Sequence, residues 1–297
     1  MAISKRVKRN AQDLIAAGML VLAIGGGAYM VDETRVTEDM EFIEVGWWNI
    51  RDLGTSRDDD EIAQIAKVMT GPDVFAIGEL NDRTALERIA HDLGSSWSWA
   101  ATHDKVGHTA GSREYYGFLW NTTLVAMDGN VHVDADPGDK IDREPAWATF
   151  RTVDGNFDFT VMAVHITWGD NAAARKEEVE LMADVWERTQ DATPDDDDMI
   201  LVGDFNRNVG DDAFDRLKSI PDVICANEDT GPTVVKGTST YDQIFLSLAY
   251  TQEWTGEYMT RNFDKTMFHD DDAAASKAVS DHRPVWVTLY VPEGDDD

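Results

Sequence analysis

Asp204 and Asn206 stand at the end of an apolar run, in Leu201-Val202-Gly203-Asp204-Phe205-Asn206. Met199 to Val202 is β-prone and reads as a buried strand. On an extended backbone, residues two apart share a side. A carboxylate and an amide placed together there suit a hard cation and a phosphate oxygen. An Asx-turn closing the strand accounts equally well for the same residues. Other apolar runs end in, or start from, similar groups. Asn49 follows Val45–Trp48, Glu79 follows Val74–Gly78, His165 closes Val161–Val164, and Asp281 and His282 precede Val285–Leu289. One such residue is ordinary, but five sites with two His, two Asp, one Glu and two Asn are the makings of metal-assisted phosphoryl transfer. Carboxylates and amides hold Mg²⁺, Mn²⁺ or Ca²⁺, and His moves protons near neutral pH. No H-x-x-x-H or Cys-His spacing marks a zinc site.

The elements that must carry these groups alternate in type. Strands are expected over Phe42–Ile50, Asp73–Ile77, Trp97–Thr102, Tyr115–Trp120, Leu124–Met127, Pro145–Arg151 and Phe157–Ile166. Further strands are expected over Tyr241–Leu248, Trp254–Thr260 and Val285–Val291. Helical spacing marks Asp60–Thr70, Asp82–Leu93, Ala172–Thr189 and a short Ala213–Ile220. Many strands with few helices predict two sheets packed face to face with helices outside. No internal repeat or second domain is visible in the 297 residues.

The composition adds two constraints. Acidic side chains outnumber basic ones 57 to 26, for a net charge of −31. So acidic a surface repels itself and polyanions at low salt, and predicts adaptation to a salty medium, where the Debye length falls to about 3 Å at 1 M. The Asp-rich runs at Asp58–Glu61, Asp195–Asp198, Asp270–Asp272 and the C-terminus read first as solvated loops, with structural Ca²⁺ open to a few of them. Cys225 is the single cysteine, so no internal disulfide forms, and it reads as a small core residue. Lys5, Arg6, Lys8 and Arg9 precede an uncharged stretch of about 18 residues, Leu14–Val31, short for a bilayer span. That order is a signal peptide or membrane anchor and predicts an exported protein. The expected layout is export segment 1–31, linker 32–40, catalytic domain 41–292 and acidic tail 293–297.

Six motifs follow one another in the chain: Trp48-Asn49-Ile50-Arg51, Gly78-Glu79-Leu80, Val164-His165, Gly203-Asp204-Phe205-Asn206, Tyr241-Asp242-Gln243-Ile244 and Ser280-Asp281-His282-Arg283-Pro284-Val285. Together they resemble the endonuclease/exonuclease/phosphatase superfamily, over about Glu41 to Val291. Arg113–Leu119 and Arg143-Glu144-Pro145-Ala146 are similar to elements of its deoxyribonuclease I-like branch. The resemblance implies a four-layer α/β sandwich, two packed mixed β-sheets flanked by helices, with the site where the strand ends meet. It implies Mg²⁺ or Mn²⁺ held by Glu79, Asp281, Asp204 and Asn206, with Asn49 orienting the scissile phosphate. His282 backed by Asp242 would activate water, and His165 backed by Glu114 would serve the leaving 3′ oxygen. Arg51, Arg143 and Tyr241 would meet nucleic acid, the arginines through backbone phosphate.

The chain also departs from that branch. The minor-groove tyrosine of the pattern is Ser112, with Tyr115 as a neighbouring substitute. The disulfide positions read Val209 and Ser239, and Asp134–Lys140 replaces a second, small disulfide loop. The charge of −31 opposes DNA binding, which draws on Lys and Arg. The expected function is an exported, metal-dependent, non-specific endonuclease acting as a monomer on double-stranded DNA. The alternatives are a phosphoesterase of a small or lipid phosphate in the same superfamily, and an inactive binding domain. Trp47, Trp97, Trp99 and Trp147 lie on β patterns and read as core rather than as base-stacking groups.

Overall fold

The structure, a computed structural model, describes residues 21–24, 27–30, 41–109, 111–193 and 196–293. The N-terminal basic cluster, most of the apolar export segment, the linker 32–40 and the tail 294–297 lie outside the described residues. Within the apolar segment, β1 (Val21–Ile24) and β2 (Gly27–Met30) pair antiparallel. Among the described residues no helix is long and apolar enough to cross a membrane.

Two six-stranded mixed sheets form the body. In the first, β3 (Phe42–Leu53) and β4 (Val74–Leu80) run parallel, and β14 (Val285–Tyr290) lies antiparallel beside β3. Outside them lie β13 (Trp254–Thr260) on one edge, and β6 (Tyr115–Asn121) and β5 (Trp97–Ala101) on the other. In the second sheet, β9 (Asp158–His165) and β10 (Met199–Asp204) run parallel, with β12 (Asp242–Ser247) antiparallel to β10. A short β11 (Val223–Cys225) and the pair β8 (Ala146–Thr152) and β7 (Val125–Val133) complete it. Helices α1 (Asp59–Val68), α2 (Thr84–Leu93), α5 (Phe263–Phe268) and α6 (Asp272–Ala278) contribute to the apolar layer outside the first sheet. Helices α3 (Ala172–Glu180) and α4 (Met182–Ala192) cover the second. The order is helix, sheet, sheet, helix, as expected.

The period-2 alternation of the strands explains where the site falls. Val45 and Trp47 of β3 point into the core between the sheets, while Trp48 and Ile50 point to the helices. Val161 and Ala163 of β9, Ile200 and Val202 of β10, and Ile244 and Leu246 of β12 also line that inner core. Asn49, His165, Asp204 and Asp242 continue the same inward phase at the strand ends. Parallel neighbours end together, and antiparallel β12 and β14 begin at that same end. Six strand termini therefore deliver polar groups to one place. Asp204 sits opposite His165 on one side and Asp242 on the other.

Two residues break the pattern. Glu79 follows Gly78, so simple alternation would aim it at the helices. It adopts φ 54° beside an irregularity in the β4 pairing, a local twist that re-aims the side chain. Asn206 adopts φ 50°, so the strand ends at Asp204 and the expected extended Asp204–Asn206 pairing does not occur. Both the turn and the polar site are present, because Asn206 N–H donates to Asp204 Oδ1 at 2.9 Å.

Other differences from the sequence expectations are local. The helix over 172–189 divides at Leu181, and 213–220 forms two 3₁₀ turns. The acidic run at 58–61 is a capping box for α1, and Asp271 caps α6. These acids satisfy helix N–H groups, a local reason for their abundance that needs no Ca²⁺.

Candidate active site

The polar strand ends line a cavity of about 810 Å³, whose walls include Glu79, His165, Asp204, Asn206, Asp281 and His282. Its centre is Asp204 Oδ2. His282 Nε2 lies 3.6 Å from that oxygen and His165 Nε2 3.7 Å from it. Asn49 Nδ2 donates to it at 3.1 Å and also to Glu79 Oε1 at 3.1 Å. Both N–H groups of Asn49 therefore hold carboxylates. In this arrangement the Asn49 amide positions Glu79 and Asp204. Glu79 Oε2 accepts from Asp52 N–H at 3.0 Å.

Each imidazole is backed by a buried carboxylate. His282 Nδ1 lies 2.7 Å from Asp242 Oδ2, and His165 Nδ1 lies 3.0 Å from Glu114 Oε1. Such a partner fixes the tautomer and aims Nε2 into the cavity. The supports reach further back. Trp47 Nε1 donates to Asp242 Oδ1 at 2.9 Å, from the opposite sheet. Gly78 makes room for that indole, because a Cβ there would lie 2.5 Å from the Trp47 ring. Trp48 Nε1 donates to the His282 carbonyl at 2.8 Å. Arg283, next in sequence, grips Asp264 through two bonds of 2.8 and 2.7 Å, anchoring the segment that carries Asp281 and His282.

Charge follows this geometry. Burial works against the charged form of His282, but Asp242, Asp204 and Asp281 outweigh it and carry its pKa up to about 10. Burial and Arg143 push His165 down, yet Glu114 and Asp204 raise it overall. Burial opposes ionisation of Asp204, and the facing histidines with the Asn206 and Asn49 bonds bring its pKa below the ordinary value. Glu114 is likewise lowered, by His165 against the cost of burial. The carboxylates of the site thus hold both imidazoles toward the protonated form.

Among the described residues, Asp204, Asp242 and His282 are the one group whose three ligand atoms lie within 4.8 Å of one another. The oxygens of Asp242 are engaged by Trp47 and His282, and those of Asp204 by Asn206 and Asn49, but only Asp204 also lines the cavity. Glu79, Asp281 and Asn206 share its cavity, although Glu79, Asp204 and Asp281 do not close into an equally tight group. Asn49, whose Nδ2 holds two of these acids, has a buried Oδ1 with no hydrogen-bond partner among the described residues. Oxygen donors of this kind, with an orphaned amide oxygen, fit a hard divalent cation.

Arg51 and Tyr241 line the cavity, and Arg51 is half exposed. Arg143 does not reach it. Its side chain is 5% exposed, and Nε and Nη2 donate at 2.8 Å each to the carbonyls of His165 and Ile166. The phosphate contact implied for Arg143 is corrected to a buried brace under the His165 strand end. Tyr115 is not a free groove aromatic either, because Arg83 and Lys105 lie over its ring at 5.1 and 5.5 Å. Ser112 is tied to Asp142. Sequence reasoning missed Trp168, Lys236 and Lys277, which stand on the cavity wall. For Trp168 a signal existed: a large apolar residue in the polar stretch His165–Asn171, outside any β pattern.

Two packed mixed sheets, with paired histidines and acids at their joined ends, define a phosphoesterase of the endonuclease/exonuclease/phosphatase type. The model of the Endonuclease/Exonuclease/phosphatase family matches residues 46–282, and the chain belongs to this family. A deoxyribonuclease of Thioalkalivibrio sp. (strain K90mix) is 30% identical, over 81% of this chain and 69% of its own. Deoxyribonuclease-1 of Equus caballus is 26% identical, over 83% of this chain and 92% of its own. A solved mannosyl-6-phosphatase from Bacteroides thetaiotaomicron shares the fold, with TM-score 0.56 and 17% identity over 84% of this chain and all of that one. The nucleases of this family depend on a divalent metal, and the acids around Asp204 offer a place for one.

Proposed function

We propose that the chain is a metal-dependent endonuclease that hydrolyses DNA with little sequence preference. The observation that carries this is the convergence of two carboxylate-backed imidazoles on Asp204 Oδ2, at 3.6 and 3.7 Å. The deoxyribonuclease relatives support nucleic acid as the substrate. His282, aimed by Asp242, accepts a proton from the attacking water. His165, aimed by Glu114, donates one to the departing 3′ oxygen. Arg51 meets a flanking phosphate from the cavity rim. Glu79, Asp204, Asp281 and Asn206 would hold Mg²⁺ or Mn²⁺, which supplies positive charge to the phosphoryl oxygens and offsets the carboxylates that keep His282 protonated.

The acidic surface favours a second reading, a phosphoesterase of a small or lipid phosphate. The basic cluster and apolar segment at the N-terminus support an exported domain, and the charge of −31 supports salt adaptation. Incubation with plasmid DNA in Mg²⁺, Mn²⁺ or EDTA across a salt series tests these readings together. Cleavage is expected with either metal, none with EDTA, and an optimum well above dilute buffer. Intact DNA at every salt, with hydrolysis of a sugar phosphate, would favour the second reading.

A further inference from the structure

Trp168 is 69% exposed, although it stands on the wall of the catalytic cavity. It follows His165 by three residues, and its ring centroid lies 6.4 Å from that of Tyr241, tilted by 58°. Tyr241 immediately precedes Asp242, the support of His282. The two rings therefore form an angled wall joining the His165 side of the site to the His282 side. The Arg175 guanidinium lies 5.9 Å from the Trp168 ring centre, so the ring is fixed by a cation while most of it stays open to solvent. At this spacing and tilt no planar group fits between the two rings. The available surface is a platform for one flat ligand.

We propose that Trp168, steadied by Arg175 and Tyr241, is a stacking platform for an unpaired nucleobase, and that the site therefore prefers single-stranded nucleic acid to duplex. This rests on the nuclease reading above. Three physical points carry it. A base offers its π-face only when it is unstacked, whereas duplex bases hide theirs against their neighbours. Duplex DNA carries one charge per about 1.7 Å of axis, so a chain of net charge −31 repels it more strongly than a single strand. Stacking is also less sensitive to salt than phosphate contacts, and suits a protein whose cations are few. Arg51, Lys236 and Lys277 stand on the cavity wall, with Arg175 beside Trp168, and an adjoining cavity of about 240 Å³ continues past Arg51 and Lys277, where Asp52 and Glu61 also line it. The strand's phosphates follow the cations while one base rests on Trp168.

The test compares kcat/KM on a 5′-labelled single-stranded 20-mer and on its duplex, for wild type, Trp168→Ala and Trp168→Phe, at low and high salt with Mg²⁺. Trp168 is exposed, so both variants are expected to melt with the wild type. The wild type should prefer the single strand, and more so as salt rises. Trp168→Ala should lose roughly tenfold on the single strand, mainly through KM, and less than twofold on the duplex. Trp168→Phe should keep most of the preference. Equal losses on both substrates, no loss, or a wild-type preference for duplex would overturn the platform while leaving the nuclease reading intact. No cleavage of either substrate by the wild type would remove the nuclease reading itself, and this inference with it.

Discussion

Replacing His282 by alanine is expected to lower kcat for DNA cleavage by about 10² to 10⁴, the range for loss of a positioned general base. Neither the second histidine nor the acid behind His282 is placed to take over. His165 is held by Glu114 on the far side of Asp204, and Asp242 is buried behind His282 with Trp47 on its other oxygen. Asp242→Asn should approach the same loss, because an amide can hold the imidazole in the wrong tautomer. Trp47→Phe should cost less, since it removes one bond to Asp242 and leaves the dyad in place. Stability must be measured beside activity. His282→Ala leaves a buried oxygen of Asp242 without its partner, a cost of about 1–3 kcal/mol. Thermal melts set an assay temperature at which the variant is folded. A fully folded His282→Ala variant with wild-type kcat would reject the assigned base.

The second large effect concerns Arg143. Removing its head group as Arg143→Met is expected to destabilise the protein by about 3–5 kcal/mol, read as a shift in the urea midpoint. The carbonyls of His165 and Ile166 would each lose a donor in the interior. Glu114 would lose the buried cation that, together with His165, keeps its carboxyl ionised. Arg143→Lys retains charge without the planar fork and should fall between the two. Arg51→Ala makes the contrast. That half-exposed side chain pairs with exposed Asp52 at 3.6 Å, so stability should hardly change while KM rises. If Arg143→Met were as stable as wild type with only KM altered, the side chain would be a substrate contact after all.

Much of this site is legible from strand phase. Apolar residues at 45 and 47, 161 and 163, 200 and 202, and 244 and 246 announce an inward face. Asn49, His165, Asp204 and Asp242 fall on that same phase at the ends of the runs. Sequence spacing shows which residues share a face, and the family resemblance indicates which strands are neighbours. The failures share a different cause. Whether Arg143 reaches solvent or the two carbonyls at the end of β9 depends on the course of the loop before β8, which no periodicity encodes. That the Asn49 N–H groups hold Glu79 and Asp204 depends on which strands meet across the two sheets, which spacing does not show. Glu79 itself arrives through a positive φ and a pairing irregularity, against the alternation of its strand. Helix α6 went unread because the acidic run that caps it resembles solvated charge. Trp168 was passed over because loop residues have no phase to read.

The central claim is that water is activated on one side of Asp204 while the 3′ oxygen departs on the other. Cleavage in ¹⁸O-labelled water under single-turnover conditions, with mass analysis of the new ends, tests it most directly. The account predicts a 3′-hydroxyl on one fragment and a 5′-phosphate carrying one ¹⁸O on the other. A 3′-phosphate, or a 5′-phosphate without label, would contradict the assignment of His282 to water and His165 to the leaving oxygen.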